Sequence, residues 1–327
     1  MHGRVTDPFF VLYYPILGAV GVPGNLVTIG ILFRGRCGLS RCITWYLLSM
    51  ALTDLLVLMT AVILNRTTTI YFPASFLSIT PVCSVKVALS YAVRDSSVWL
   101  TVAFTFNRFV VISCQKLRQK YCTERMAVVV IASVCIVSFV RNIPTYFEFR
   151  PLYMDDGVPW YCMIKSSYYT DPFWKMFDTL DQIINPCAPF VLLLLLNLLT
   201  VRDILAANRA RKRLRVQSHG EHKRDPEMVN RKKSIILLFS ISGNFIVLWA
   251  THVVNFLSVK ISKRSYASGS ILQESANALL LLSCCTNTCI YAGTQKKFRE
   301  EFRNAITYPL RVIKVLRDGT TRFNCKF

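Results

Sequence analysis

The sequence predicts an all-α membrane protein in which seven transmembrane helices form one bundle. Of its 327 residues, 53% are hydrophobic and only 17% are charged, and the mean hydropathy is +0.39. A soluble domain carries about 25% charged residues. The apolar residues also gather in blocks, and crossing the hydrocarbon core of a bilayer takes about 20 of them in one helix.

Seven blocks reach this length, and we expect each to form one helix. The third carries several polar residues, but these fall mostly on one face and the block has well-defined ends. The blocks are Phe9–Phe33, Ile43–Leu64, Pro81–Ser113, Met126–Phe147, Lys175–Val201, Ser234–Leu257 and Ile271–Gly293. We therefore expect one domain, the bundle of residues 9–293, between a short amino-terminal segment (1–8) and a carboxy-terminal segment (294–327).

The lysines and arginines predict the orientation. Four alternate segments, 34–42, 114–125, 202–233 and 294–327, hold 27 of the 39. Because basic residues accumulate on the cytosolic side, we expect these segments in the cytosol and the amino terminus outside. The net charge of +21 then reflects topology and contact with anionic membrane lipids rather than nucleic acid. Only eight residues precede the first block, so we expect no cleavable signal peptide.

Cysteine usage fits this topology. Ten of the twelve cysteines lie in predicted spans or cytosolic segments, whereas Cys83 and Cys162 face the exterior. One oxidisable pair in an oxidising compartment is what a structural disulfide requires. We expect this disulfide, with two free thiols as the alternative.

The segments on the predicted cytosolic side include two further helical features. The basic start of 202–233 should prolong the fifth helix, and its middle should be flexible. After the seventh block, Phe298 and Phe302 stand four residues apart with charges around them, which places both rings on one helical face. We expect a short amphipathic eighth helix at the inner membrane interface.

Several polar residues lie inside the predicted spans, where ionisable groups are costly and usually functional. Each could merely join helices, but their arrangement as a set argues for function. The polar residues are Asn25, Asp54, Lys86, Arg94, Asp95, Asn107, Arg108 and Asn287. The apolar Phe109 completes the triplet Asn-Arg-Phe and is considered with them.

In their order along the chain, these residues resemble the motifs of rhodopsin-like (class A) G-protein-coupled receptors. Cys83 stands 25 residues before Arg108, the spacing that this family keeps between its cysteine and the arginine of its Asp-Arg-Tyr motif. The other matches are Gly24-Asn25 in the first helix, Asp54 in the second, Phe245-Ile-Val-Leu-Trp249 in the sixth and Asn287-x-x-x-Tyr291 in the seventh. Ser97 to Arg108 and Leu248-Trp-Ala further resemble the branch of orphan receptors 139 and 142, which is associated with aromatic amino acids and peptides.

The resemblance implies a plasma-membrane receptor. An extracellular ligand would bind between the outer halves of helices three, five, six and seven and favour a state in which helix six swings outward. A heterotrimeric G protein would then enter the cytosolic cavity at Arg108. The residues implied in coupling and switching are Asn107, Arg108, Phe109, Phe245, Trp249, Asn287 and Tyr291.

The chain departs from the family pattern at several positions. Thr251 and Thr288 replace prolines of helices six and seven, and helix four lacks the family's tryptophan. Asn107 replaces the acidic neighbour of Arg108, and Arg231 stands where an acidic partner is common. Since an amide offers Arg108 only a neutral acceptor, we expect appreciable basal activity.

Arg94 is the predicted ligand anchor. It lies eleven residues below Cys83, about 16 Å deeper at 1.5 Å per residue, and nearly four turns from Arg108, so both face the interior. A guanidinium between aromatic side chains would bind the carboxylate of an aromatic amino acid or peptide, and an internal pair with Asp181 is the alternative. The expected ligand-binding residues are Lys86, Tyr91, Arg94, Asp181, Trp249, His252, Asn255 and Asn277.

The resemblance also implies a sodium site and no other cofactor. Asp54, with Ser97, Asn25 and Asn287, matches the family's arrangement around one sodium ion. A water-filled polar cluster without a metal is the alternative.

Two other classes of protein compete with the receptor. A transporter or channel would use Asp54, Arg94 and Asp95 along a conduction path, but neither an internal repeat nor paired broken helices are visible. A membrane enzyme is disfavoured because no H-E-x-x-H or G-x-S-x-G pattern occurs.

Overall fold

The computed structural model describes residues 8–217, 226–261 and 271–307. Within them, seven helices are long and apolar enough to cross a membrane, which confirms the predicted fold class. They are α1 (Pro8–Phe33), α2 (Arg41–Tyr71), α3 (Thr80–Ser113), α4 (Glu124–Arg141), α5 (Pro172–Gln182, Ile183–Cys187 and Ala188–Gln217 in succession), α6 (Pro226–Ile261) and α7 (Ile271–Thr294). An eighth helix, α8, covers 296–307.

Side chains just before three of the helices set where they begin. Oxygen atoms of Ser40, Thr123 and Asp171 accept backbone N–H groups two or three residues further on, at 3.5, 3.3 and 2.8 Å. Each cap satisfies a donor that has no partner within its helix. Pro172 at the first position of α5 adds a preset φ angle and lacks the N–H that would go unused there.

Two π turns interrupt the long helices. One covers Leu58–Thr67 in α2, and the other covers Ile183–Cys187 in α5, around Pro186. π turns are rare and occur frequently at functional sites. The first follows Asp54 by one turn, and the second carries Asn185, so both adjoin the polar interior.

α3 lies at the centre of the bundle and packs against α2, α4, α5 and α6. α4 is peripheral, because only Ala127 and Ser138 on it are buried. α1 comes unusually close to its neighbours at Gly21, where a Cβ atom would collide with Cys285 Sγ and lie 2.7 Å from Leu58 Cδ1. A glycine there allows α1 to pack directly on α2 and α7.

A small β-hairpin lies between α4 and α5. Strand β1 (Phe149–Arg150) pairs antiparallel with β4 (Met163–Ile164), and β2 (Tyr153–Asp155) with β3 (Val158–Trp160). Asp156 and Gly157 turn the hairpin with φ angles of 46° and 76°, as a tight hairpin requires. These strands are an addition to the predicted all-α fold, although the Asp-Gly pair is a hairpin signal.

The predicted disulfide joins this hairpin segment to α3. Cys83, near the start of α3, is bonded to Cys162, and the two are 79 residues apart in the sequence. Thr80 Oγ1 also donates to the carbonyl of Tyr161 at 2.6 Å. The segment is therefore held against the end of the bundle that we call the disulfide end. The opposite end, around Arg108, is called the basic end.

The eighth helix is amphipathic, as predicted. Phe298 is only 1% exposed, and its ring lies 5.8 Å from that of Tyr291, while Phe302 stacks on Phe298 at 6.1 Å. Phe298 therefore fastens α8 to the bundle. The extension of α5 through the basic residues is also present, but the predicted flexible middle of 202–233 lies outside the described residues, as do most of 1–8 and the tail from 308.

Candidate functional site

A cavity lies inside the bundle between α2, α3, α6 and α7. Its lining includes Arg94 and Trp249 together with Asp54. The predicted ligand anchor, the sixth-helix tryptophan and the predicted sodium carboxylate thus share one space. The helices bring Asp54 and Trp249, which stand 195 positions apart in the sequence, to the lining of the same cavity.

Arg94 projects into this cavity without an ionic partner. Its guanidinium carbon lies 4.5 Å from the centre of the Tyr91 ring, a distance suited to a cation–π contact. Among the described residues, no carboxylate oxygen lies within the 4.0 Å limit of a salt bridge to Arg94. A half-buried guanidinium without an ionic partner can donate hydrogen bonds to an anionic or carbonyl-bearing ligand.

Two aromatic residues of α6 stand beside Arg94. Trp249 stacks on Phe245 at 4.7 Å, and its ring centre is 6.0 Å from that of His252. Trp249 Nε1 and His252 Nδ1 are buried and have no hydrogen-bond partner among the described residues. Because Trp249 lines the cavity together with Arg94, these two unpaired atoms form an unsatisfied polar group next to the guanidinium. An acceptor-rich ligand would complete it, because unpaired buried donors are costly.

The predicted alternative, an ion pair between Arg94 and Asp181, is not formed among the described residues. Asp181 Oδ1 instead lies 3.1 Å from Arg141 Nη1 and forms an ion pair with it. Arg141 stands at the end of α4 and was not among the predicted site residues. Its signal in the sequence is a charged residue inside the predicted span Met126–Phe147, where ionisable groups are usually functional.

Asp95 is the hub of a buried network. It is 0% exposed and accepts from Arg141, from Asn142 Nδ2 at 2.6 Å and from Asn185 Nδ2. Successive residues of a helix point about 100° apart, so the carboxylate of Asp95 faces α4 and α5 instead of the side of Arg94. The network joins α3, α4 and α5 at the depth of the cavity.

The remaining predicted ligand residues lie nearer the disulfide end. Lys86 is buried and donates to the carbonyl of Leu77 at 3.3 Å. Asn255 donates to Gln273, which in turn donates to Asn277 Oδ1 at 3.4 Å. The structure thus links Asn255 and Asn277 through a residue that the sequence analysis missed, and it places Lys86 about 12 Å along α3 from Arg94.

The Asp54 cluster contains three of the four residues predicted to hold sodium. Asp54 Oδ1 accepts from Ser97 Oγ at 2.6 Å, and Oδ2 accepts from Asn287 Nδ2 at 2.7 Å. Asn25 instead donates to the carbonyls of Gly21 and Cys284, at 3.0 and 2.9 Å, and so ties α1 to α7. The carboxylate and the hydroxyl supply the oxygen atoms that a hard cation prefers.

At the basic end, Arg108 is 2% exposed and donates to Asn107 Oδ1. Its guanidinium carbon lies 5.7 Å from the centre of the Phe104 ring. Asn107 Nδ2 contacts Cys42 Sγ at 3.6 Å and Cys122 Sγ at 3.5 Å. Burial raises the pKa of the Cys122 thiol against the opposing charge of Arg108, so the thiol stays neutral at physiological pH.

Two further predicted coupling residues, Tyr291 and Phe109, lie nearer the basic end. Tyr291 is buried, and its hydroxyl has no partner among the described residues. Phe109 is half-buried on α3. The side chain of Arg231 lies outside the described part of the chain, so the predicted repulsion toward Arg108 stays a prediction.

Comparison with known proteins agrees with this architecture. The profile of the 7 transmembrane receptor (rhodopsin family) matches residues 24–291. The Sex peptide receptor of Drosophila melanogaster is 26% identical over 275 residues, covering 75% of this chain and 60% of the relative. The FMRFamide receptor of Drosophila melanogaster is 26% identical over 308 residues, covering 88% of this chain and 52% of the relative.

The chain spans between half and three fifths of the length of these two relatives. The family and both relatives are receptors and not enzymes, in agreement with the predicted receptor class. A profile match over most of the chain, on a bundle of seven membrane-spanning helices, places this protein in the rhodopsin family of seven-transmembrane receptors.

Proposed function

We propose that this receptor binds an extracellular ligand whose carboxylate or terminal amide lies against Arg94, and that it activates heterotrimeric G proteins. The observation that carries the proposal is that Arg94 and Trp249 line one cavity, while Trp249 Nε1 and the neighbouring His252 Nδ1 have no hydrogen-bond partner among the described residues. The aromatic rings suit an aromatic side chain next to the acceptor group. An aromatic amino acid or a short peptide offers both.

Two further observations support a peptide or amino-acid ligand. The two relatives carry the names of a sex peptide and of FMRFamide. The resemblance of Ser97 to Arg108 to the branch of orphan receptors 139 and 142 favours an aromatic amino acid or a peptide. We place the chain near that branch as part of the proposal.

G-protein coupling is proposed at the basic end. Arg108 is held there by a neutral bond to Asn107, and the adjacent segments carry most of the basic residues of the chain. An excess of basic residues marks the cytosolic side, so the disulfide end faces outward with the amino terminus. A ligand at Arg94 would act on Arg108 along α3 and through Trp249 on α6.

The test is expression of the chain with biosensors for each G-protein class, followed by a screen of aromatic amino acids and of short peptides with free and amidated carboxyl ends. An agonist should lose potency by about 30- to 140-fold in Arg94→Gln, since a charge-assisted contact of about 2–3 kcal/mol is lost. The matched control is Arg150→Gln, at an exposed arginine of β1, which should respond normally.

Two results would oppose the proposal. Normal agonist potency in Arg94→Gln at unchanged surface expression would remove Arg94 from the ligand site. Ion or solute flux in proteoliposomes, without any signal from the biosensors, would favour the transporter alternative.

A further inference from the structure

Arg141 is bonded to two carboxylates at once. Its Nη2 donates to Asp95 Oδ2, and its Nη1 lies 3.1 Å from Asp181 Oδ1. These carboxylates come from α3 and α5, whereas Arg141 comes from α4. A planar guanidinium presents five donors in a fixed fork, which suits arginine to bridge two acceptors at defined positions.

The two ion pairs of Arg141 hold both carboxylates in the neighbourhood of Arg94. Asp95 is next to Arg94 in sequence but points toward α4 and α5, and Arg141 joins Asp181 to Asp95. If Asp181 were free, it would pair with Arg94, because a half-buried cation gains from an opposite charge nearby. Arg94 would then have no capacity left for a ligand.

Asp95 and Asp181 are withheld from Arg94 in different ways. Asp95 already accepts from Arg141, Asn142 and Asn185, which leaves little of its lone-pair capacity. Asp181 has no comparable set of bonds, and its side chain is 36% exposed. Arg141 is therefore the group that holds Asp181 away from Arg94.

We propose that Arg141 is a positioning residue for the ligand site, which binds Asp95 and Asp181 together and so keeps Arg94 available to the ligand. The inference rests on the proposed function in taking Arg94 as the ligand anchor. It adds that the site depends on a residue of α4 that does not itself meet the ligand. Without Arg141, Asp181 forms an ion pair with Arg94, and the Arg94 guanidinium can no longer bind the ligand.

The test measures how available the Arg94 guanidinium is, in the purified full chain without any ligand. Phenylglyoxal modifies free guanidinium groups, and mass spectrometry of the α3 peptide gives the rate of modification at Arg94. In Arg141→Gln the rate should fall several-fold relative to the wild-type chain. In Arg141→Gln combined with Asp181→Asn it should return to the wild-type rate, because the competing carboxylate is gone.

Two controls isolate the effect. Asp181→Asn alone should leave the Arg94 rate unchanged, since Arg141 still satisfies Asp95. Arg202→Gln makes the same substitution in an exposed arginine that pairs with Asp203 at 3.2 Å, and it should also leave the rate unchanged. General loosening of the bundle would raise the rate in every destabilised variant, so a fall followed by rescue cannot arise from a merely structural role of Arg141.

An unchanged or raised Arg94 rate in Arg141→Gln would overturn the inference, as would failure of Asp181→Asn to restore the rate. Should Arg141→Gln fail to fold, the background Asp95→Asn/Arg141→Gln removes both charges of the buried pair and carries the same two expectations. Because labelling uses no ligand, its outcome is independent of the agonist screen. A normal agonist response in Arg94→Gln would refute the proposed ligand site and leave the labelling result standing.

Discussion

The bond between Arg108 and Asn107 predicts how strongly the resting state is favoured. Arg108 donates to the Asn107 amide oxygen, and among the described residues the amide nitrogen donates to the sulfur atoms of Cys42 and Cys122 alone. Sulfur is a weak acceptor, so losing the amide nitrogen in Asn107→Asp removes little stabilisation. At the amide oxygen, the substitution converts a hydrogen bond to a neutral acceptor into one between two charged groups, which is about twice as strong.

The magnitude follows from these two contacts. Doubling a bond that contributes about 1 kcal/mol stabilises the resting arrangement by about 1 kcal/mol. At about 1.4 kcal/mol per factor of ten, the active fraction without ligand should fall about fivefold. The opposing cost of burying a new carboxylate is limited, because Arg108 is already buried next to it and lacks an anionic partner among the described residues.

The assay is ligand-independent signalling of Asn107→Asp in the G-protein biosensors, normalised to the amount of receptor at the cell surface. Asn304→Asp makes the same change at an exposed position of α8 and should leave basal signalling unaltered. Basal signalling that stays the same or rises in Asn107→Asp would refute the account, since the new ion pair would then not restrain Arg108.

Three more predictions concern the disulfide, the sodium site and α8. Cys83→Ser should sharply reduce surface expression and signalling, because the lost bond to Cys162 closes a loop of 79 residues and contributes about 4–5 kcal/mol in the chain-entropy account; normal expression would contradict this. Replacing sodium with a large organic cation should change agonist affinity in the wild-type receptor and not in Asp54→Asn, and indifference of the wild-type receptor would remove the ion from the site. Phe298→Ala should destabilise the purified receptor by about 3–5 kcal/mol, read as a lower melting temperature, whereas Phe302→Ala, at a less buried ring of the same helix, should cost clearly less.

The sequence alone determined the number of spans, the disulfide partners and the face of the eighth helix. Each of these depends on local composition or on the compartment that a segment occupies. A run of apolar residues must cross the bilayer whatever its neighbours are, and Cys83 and Cys162 are the oxidisable pair of the predicted outer segments. The small hairpin was also within reach, since Asp156-Gly157 is a turn signal.

The tertiary structure alone decided which charges meet. The adjacent positions of Arg94 and Asp95 on α3 mean that their side chains point in different directions. They could not reveal that Arg141 of α4 forms ion pairs with both Asp95 and Asp181. The same holds for Asn25, which bonds to α7 instead of joining the Asp54 cluster. A salt bridge forms or fails over about 1 Å of distance, and the rotation and depth of one helix against another are set by the packing of the whole bundle. Local sequence specifies the helices and the faces of their side chains, whereas only the assembled bundle specifies which of those side chains become partners.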